Sequence, residues 1–322
     1  MARFFKDRFT IIVIIFLILP FVFPFTELAT EMLIFALLAV AFNLMLGYTG
    51  LLSFCHASLF ATGAYTMGIL LVRYDINLFL GMLIGALMTA LFALIIGWIS
   101  IRRHGLYFAM LTLAFNEVLY FTIFELKDLT GGDDGLRGIF RPDLDLGFFS
   151  ISLDEPMRFY FFVLFFFVLC ILVIRRITNS PLGSVFMAIR ENENRAESVG
   201  YKARHYKIAA FIVSGFFAGL AGTLFCIHIK YAALSFCHWT LSGEVIIMSL
   251  VGGIGSLYGP MIGASLVVLM QDFFSTIWDR WLLILGAVFI IFVMFFQGGV
   301  WEGIENLISF FSRKFKKEPA LE

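Results

Sequence analysis

Residues 175–207 read RRITNSPLGSVFMAIRENENRAESVGYKARHYK, from Arg175 to Lys207. The runs on either side, 157–174 and 206–228, are apolar enough to lie in a bilayer. A helical span needs about 20 such residues. A long basic segment between two spans implies a polytopic membrane protein with one structured loop kept on one side. The loop is patterned for short helices. Ser180 suits an N-cap and Pro181 the first helical position. Leu182, Val185, Phe186 and Ile189 then recur at helical spacing and give one apolar face. Arg190 to Asn194 is polar. The run Arg195-Ala196-Glu197-Ser198-Val199 closes on Gly200, a residue suited to a helix end. The expectation is two short helices joined at a corner, forming an element that docks on a soluble partner. The plainer alternative is a solvated connection between spans.

Composition agrees with the membrane reading. Of 322 residues, 61% are hydrophobic and 14% charged, with a mean hydropathy of +0.96. Soluble domains run nearer half apolar and a quarter charged. Net charge is zero, so no attraction to nucleic acid follows. Cys55, Cys170, Cys226 and Cys237 lie in or beside apolar segments without metal-ligand spacing, which argues against a disulfide framework or a zinc site. The N-terminus, MARFFKDRF before an apolar run, resembles a signal peptide. Pro20 and Pro24 are followed by Glu27 and Glu31 without a small-residue cleavage site, so it reads as a retained first span.

Other candidate spans fall near 9–25, 28–46, 51–72, 77–101, 105–124 and 281–297. The apolar region 243–271 is interrupted by Gly252-Gly253-Ile254-Gly255-Ser256-Leu257-Tyr258-Gly259-Pro260, leaving halves at 243–251 and 259–271. Basic residues set the orientation. They cluster at Arg3, Lys6 and Arg8; at Arg102 and Arg103; through the 175–207 loop; and at Arg313, Lys314, Lys316 and Lys317. All four clusters share the cytoplasmic side if the broken segment enters and leaves by the same face, as a re-entrant pair or as two short crossings. Both termini are then cytoplasmic. The loop 126–156, bearing Asp128, Asp133, Asp134, Asp143, Asp145, Asp154 and Glu155, lies outside. The fold expected is an all-α polytopic membrane protein, one domain over 1–322, with about eight full transmembrane helices plus the broken pair.

No catalytic set is visible. His56, His104, His205, His228 and His238 have no spaced partners that suggest a metal. The G-x-S-x-G, H-E-x-x-H and Walker A patterns are absent, so the chain supplies no ATP site and is not read as an enzyme. Two glycine clusters sit at membrane depth and both begin G-x-x-G-x-L. One holds Gly47, Gly50, Ser53 and His56; the other holds Gly252, Gly255 and Ser256. Non-helical backbone at this depth requires protein or a water-filled cavity beside it, and paired breaks point to a transport pathway. Close helix packing is the alternative. Glu117 and Glu244 lie within apolar segments, where a carboxylate faces a partner or a cavity. An interfacial site or a pair with a basic residue is favoured for Glu244.

These segments resemble a known family. Asn43-Leu44-Met45-Leu46-Gly47-Tyr48-Thr49-Gly50 with Ser53 and His56, Gly105 to Phe115, Thr130-Gly131-Gly132-Asp133-Asp134-Gly135-Leu136, Ala188-Ile189-Arg190-Glu191-Asn192-Glu193 and Gly252 to Pro260 are similar to the M-type permease subunit of bacterial branched-chain amino acid ABC importers. Gln297-Gly298-Gly299-Val300-Trp301 resembles the family's closing Pro-Gly-Gly-Leu-Trp pattern, with Gln297 and Val300 as departures. Cys55 stands where the family has glycine. The resemblance implies an ABC importer permease fold in the inner membrane. It also implies a sister H-type permease, two cytoplasmic ATPase subunits that bind the ATP, a periplasmic substrate-binding protein, and no cofactor on this chain. The 176–206 loop becomes the coupling element, with Arg190, Glu191, Glu193, Glu197 and Gly200 as its residues. The candidate pathway is Gly47, Gly50, Ser53, His56, Glu117, Gly252, Gly255 and Ser256, with surrounding lipid as the other contact. The same machinery importing urea, short amides or other amino acids is the runner-up. An ion-coupled transporter or channel using Glu117 is the alternative of another class.

Overall fold

The computed structural model describes residues 2–22, 25–145, 150–277, 280–295 and 298–303. The basic cluster 313–317, Pro24 and Gln297 lie outside the described residues. Helices make up most of the described residues. In chain order they are α1 (Ala2–Val22), α2 (Thr26–Thr49), α3 (His56–Tyr74), α4 (Leu78–Ser100), α5 (Leu106–Glu125) and the short α6 (Lys127–Thr130). After strands β1 (Leu144–Asp145) and β2 (Ser150–Ile151) come α7 (Pro156–Thr178), α8 (Pro181–Glu191), α9 (Glu193–Ser198) and α10 (Ala203–Ile229). The chain continues through α11 (Trp239–Gly252), α12 (Gly259–Ile277) and α13 (Trp281–Phe295). The strands form one small antiparallel pair with Leu144 opposite Ile151.

Among the described residues, α2, α4, α5, α7, α10 and α12 are long and apolar enough to cross a membrane. The expected first span survives as a shorter apolar stretch, Phe9–Val22, and α11 is also short. The span expected from 51 begins only at His56, as α3. Gly50 adopts φ +74 and ends α2, so residues 51–55 run as irregular chain before α3 starts. The broken segment divides as expected, but α11 begins earlier, at Trp239, and α12 runs on to Ile277. The 14 residues of α11 reach about 21 Å at the α-helical rise, short of the roughly 30 Å hydrocarbon core.

α2 and α10 form the centre. Phe42, Phe60, Phe108 and Phe211 are fully buried around them. α4 instead keeps Leu83, Leu87, Leu91 and Ile95 exposed. Their i, i+4 spacing makes an apolar stripe suited to lipid. Small residues let α3 and α10 approach backbone to backbone. A Cβ on Gly63 would lie 2.1 Å from Gly219 O, and one on Gly222 would lie 2.0 Å from Phe60 O.

The two ends of the bundle differ. At the basic end, Arg204 Nη2 donates to Trp98 O at 3.3 Å, joining the α10 start to the α4 end. There α8 and α9 fold on a small core of their own: Val185, Ile189, Ala196 and Ala203, with Tyr206 against it. Pro181 opens α8 as expected, but the Ser180 hydroxyl makes no cap bond. It donates back to Ile177 O at 2.6 Å, because the preceding helix ends only two residues earlier. At the acidic end, the 126–155 excursion is pinned to the bundle. The Arg141 guanidinium stacks 4.1 Å from the Phe159 ring centroid and donates to Leu153 O and His228 O. Lys230 Nζ lies 2.8 Å from Asp154, and its hydrogen bond and charge hold that carboxyl below the usual carboxylate range.

Candidate translocation and coupling site

The two glycine clusters meet. Asn43, fully buried on α2, donates from Nδ2 to Ser256 O at 2.8 Å and accepts from Gly255 N at 3.2 Å. One side chain therefore satisfies both a donor and an acceptor of the irregular 253–258 turn. A Cβ on Gly47 would fall 2.1 Å from Asn43 Oδ1 and 2.9 Å from Gly255 N, so the contact needs glycine there. Gly252 and Gly263 let α11 and α12 pack just as closely; a Cβ on Gly252 would lie 2.0 Å from Gly259 O. Ser256 is taken up within the turn, where its hydroxyl accepts from Gly259 N at 2.9 Å and donates to Gly253 O at 3.2 Å. The closing motif covers this turn. Trp301 sits 5.3 Å from Tyr258, and Gly298 O lies against Gly253.

The segment 51–58 is sealed by side chains from elsewhere. A helix N-terminus leaves several N–H groups without partners, and the interior of a membrane offers no water to satisfy them. Here Ala57 N donates to Ser242 Oγ at 2.9 Å, and Ser58 N to Asn116 Oδ1 at 3.1 Å. Ser242 Oγ donates in turn to Phe54 O, Phe54 N donates to Thr112 Oγ1, and Asn116 Nδ2 donates to Cys237 O. Ser53 and Cys55 contact each other at 3.3 Å, which gives the departing Cys55 a buried partner. His56 Nε2 lies 2.8 Å from Ser214 Oγ, whose own proton goes to Ala41 O at 2.6 Å. The ring therefore donates from Nε2, and it packs edge-on to Phe42 at 4.9 Å. Ser53 and His56 thus sit in a closed interior, tying α3 to α2 and α10.

The five loop residues divide. Arg190 turns inward and Nη1 donates to Gly47 O; its stem also lies against Gly50. Glu193 turns inward too, with Oε1 2.6 Å from Lys207 Nζ and Oε2 3.4 Å from His104 Nδ1. Glu191, Glu197 and Gly200 remain exposed, beside the bare apolar side chains Met187 and Val199. Gly200 has φ +100. Its N–H reaches Glu197 O at 2.9 Å and Tyr201 N reaches Ala196 O at 3.2 Å, a Schellman helix end.

Glu117 on α5 is half-buried. Its Oε1 is buried without a hydrogen-bond partner, and Cys237 lies nearby. Glu244 does not find a basic partner among the described residues. It accepts from Gln271 Nε2 at 3.1 Å, with Glu31 as a charged neighbour.

Sequence reasoning passed over Asn43, Thr112, Asn116, Ser214 and Ser242 as organising residues. Their only signal was a small polar side chain in an apolar run, and many such residues merely bond their own helix, as Thr62 does to Ser58 O.

The branched-chain amino acid transport system permease component family matches residues 25–293 of this chain. The high-affinity branched-chain amino acid transport system permease protein LivM of Escherichia coli is 28% identical over 309 residues, covering 88% of this chain and 73% of that protein. Its namesake in Salmonella typhimurium is 27% identical, covering 85% of this chain and 69% of that protein. A probable branched-chain amino acid transport permease protein LivM of Methanocaldococcus jannaschii is 27% identical over 208 residues, covering 64% and 56%. No solved structure matches the chain. With paired helix breaks, a built basic loop and this match over most of its length, the chain belongs to the family of branched-chain amino acid transport system permease components.

Proposed function

We propose that this chain is one of two permeases in an ATP-driven importer of branched-chain amino acids in a bacterial inner membrane. It shares the pathway with a sister H-type permease, rests on two cytoplasmic ATPase subunits that bind the ATP, and receives solute from a periplasmic binding protein. By the positive-inside rule the basic end and both termini face the cytoplasm. The 126–156 excursion faces the periplasm, and the 176–206 loop is the coupling element.

The observation that carries this reading is the split of α8 and α9. Arg190 donates to Gly47 O and Glu193 pairs with Lys207, while Glu191, Glu197, Met187 and Val199 are left bare. An element fastened on one face and free on the other can pass force from a soluble motor to the membrane. The force arrives at Gly47 O, where the two glycine clusters touch, so ATP-driven rocking acts on the contact of Gly47 with Gly255. Ser53, His56 and Ser256 contribute by holding the irregular backbone on each side of it.

The test is L-leucine accumulation by proteoliposomes holding the assembled importer. ATP-dependent accumulation, lost with Glu197→Arg, is the expected result. Accumulation that persists without ATP and follows an ion gradient overturns the reading in favour of ion coupling through Glu117, whose unpartnered oxygen makes it the candidate. Accumulation of urea or short amides, but of no branched-chain amino acid, moves the substrate to the runner-up.

A further inference from the structure

The motif Thr130-Gly131-Gly132-Asp133-Asp134-Gly135-Leu136 plays no part in the coupling contacts. It forms a rigid turn at the acidic end. Gly131, Gly132 and Gly135 all have positive φ, at +81, +60 and +67, which favours glycine. The Thr130 hydroxyl is shared between Ile123 O and Leu126 O and accepts from Gly132 N. Leu136 and Ala232 exchange both backbone hydrogen bonds, at 2.9 and 3.2 Å, and the Tyr231 hydroxyl donates to Asp134 O. The turn is thereby fastened to the stretch between α10 and α11.

Its two aspartates differ. Asp134 lies 3.7 Å from Arg137. Asp133 makes no side-chain hydrogen bond or ion pair among the described residues, and it lines a cleft of about 400 Å³. Small-molecule sites run from roughly 300 to 1,000 Å³. Tyr120, Tyr231 and His238 line the cleft, with no lysine or arginine among the described lining residues. Thr240, also in the lining, is the second residue of α11, and its N–H is capped by the His238 ring. Two orphaned polar atoms lie close by. Tyr65 is 3% exposed; its hydroxyl has no partner and has Tyr120, Tyr231 and Cys237 around it. Glu117 Oε1 is unpartnered beside the same Cys237.

We infer that this cleft is a solute-binding site for the ammonium end of an amino acid at the acidic end of the chain. The ammonium group is held by Asp133 beside Tyr120 and Tyr231. A neutral amide or urea has no cation for Asp133. The inference deepens the substrate named above and rests on that reading.

The test is a cysteine-protection assay on the full chain within its importer, in membrane vesicles without binding protein. The four native cysteines are buried, while Ser235 is exposed and lines the cleft. Ser235→Cys therefore provides a reporter thiol, and retained uptake shows that it folds. L-leucine should slow labelling by a charged methanethiosulfonate. 3-Methylbutylamine, which keeps the ammonium, should protect as well, and 4-methylpentanoate, which lacks it, should not. Asp133→Asn should raise the half-protecting leucine concentration about tenfold, the size of one charged hydrogen bond. Asp134→Asn should leave it unchanged. Absence of protection in a chain whose importer still accumulates leucine overturns the site, as does equal protection in Asp133→Asn. An importer that accumulates neither leucine, isoleucine nor valine overturns the substrate reading itself, and the site with it.

Discussion

The two glycine-rich breaks look alike as sequence, yet each is stabilised differently. The 253–258 turn is partly self-contained: Ser256 caps its own following helix, and Asn43 adds two hydrogen bonds from α2. The 51–58 segment depends on distant side chains, Thr112 and Asn116 on α5 and Ser242 on α11. Irregular backbone inside a membrane must have its polar groups satisfied, and the two breaks meet that demand locally in one case and remotely in the other. Polar residues in a spanning helix therefore serve backbone before they serve a solute. A break that is fastened from several helices also moves only when those helices move, whereas a self-capped turn can shift as a unit.

Several substitutions would break or sharpen that contrast. The largest effect belongs to Gly252→Ala, whose new Cβ meets a backbone oxygen that cannot step aside. It should destabilise the protein by about 3 kcal/mol or more, read as loss of the monodisperse peak or a steep fall in Tm. Asn43→Ala and Asn116→Ala each leave a backbone donor and acceptor unpaired and should cost about 2–3 kcal/mol. Equal losses would show that the self-contained turn needs its outside tie as much as the remote break needs its own. Ser242→Ala against Ser256→Ala is the direct comparison of a remote and a local cap. The first should cost about 2 kcal/mol and the second about 1 kcal/mol, by thermal unfolding in detergent. A reversed order would contradict the contrast. The smallest effect lies off both breaks. Glu197→Ala should change stability by less than about 0.5 kcal/mol yet uncouple ATP hydrolysis from uptake, measured as ATPase stimulation by liganded binding protein.

The boundaries of α8 and α9 were legible because their signals are local: Pro181 at the start of one, Gly200 after the end of the other. The breaks at Gly50 and Gly253 were legible for the same reason. That Gly47 faces Gly255 was not, because the approach is made by helices far apart in sequence and joined through Asn43. The direction of Arg190 and Glu193 was hidden likewise. A charged residue in a basic loop reads the same whether it points at a partner or, as here, at Gly47 O and Lys207. His56 shows the limit for the pathway residues. An imidazole within an apolar region is equally suited to a solute or to another helix, and only the neighbouring Ser214 and Phe42 decide that it ties helices together.

The most direct measurement is recovery of this chain from detergent-solubilised native membranes, followed by mass spectrometry of what comes with it. The account predicts a second permease of the same family and two ATPase subunits in stoichiometric amounts, with the ATPase subunits lost when Glu197 is replaced by arginine. Recovery of the chain alone or as a homo-oligomer, with transport surviving ATP depletion, would contradict it.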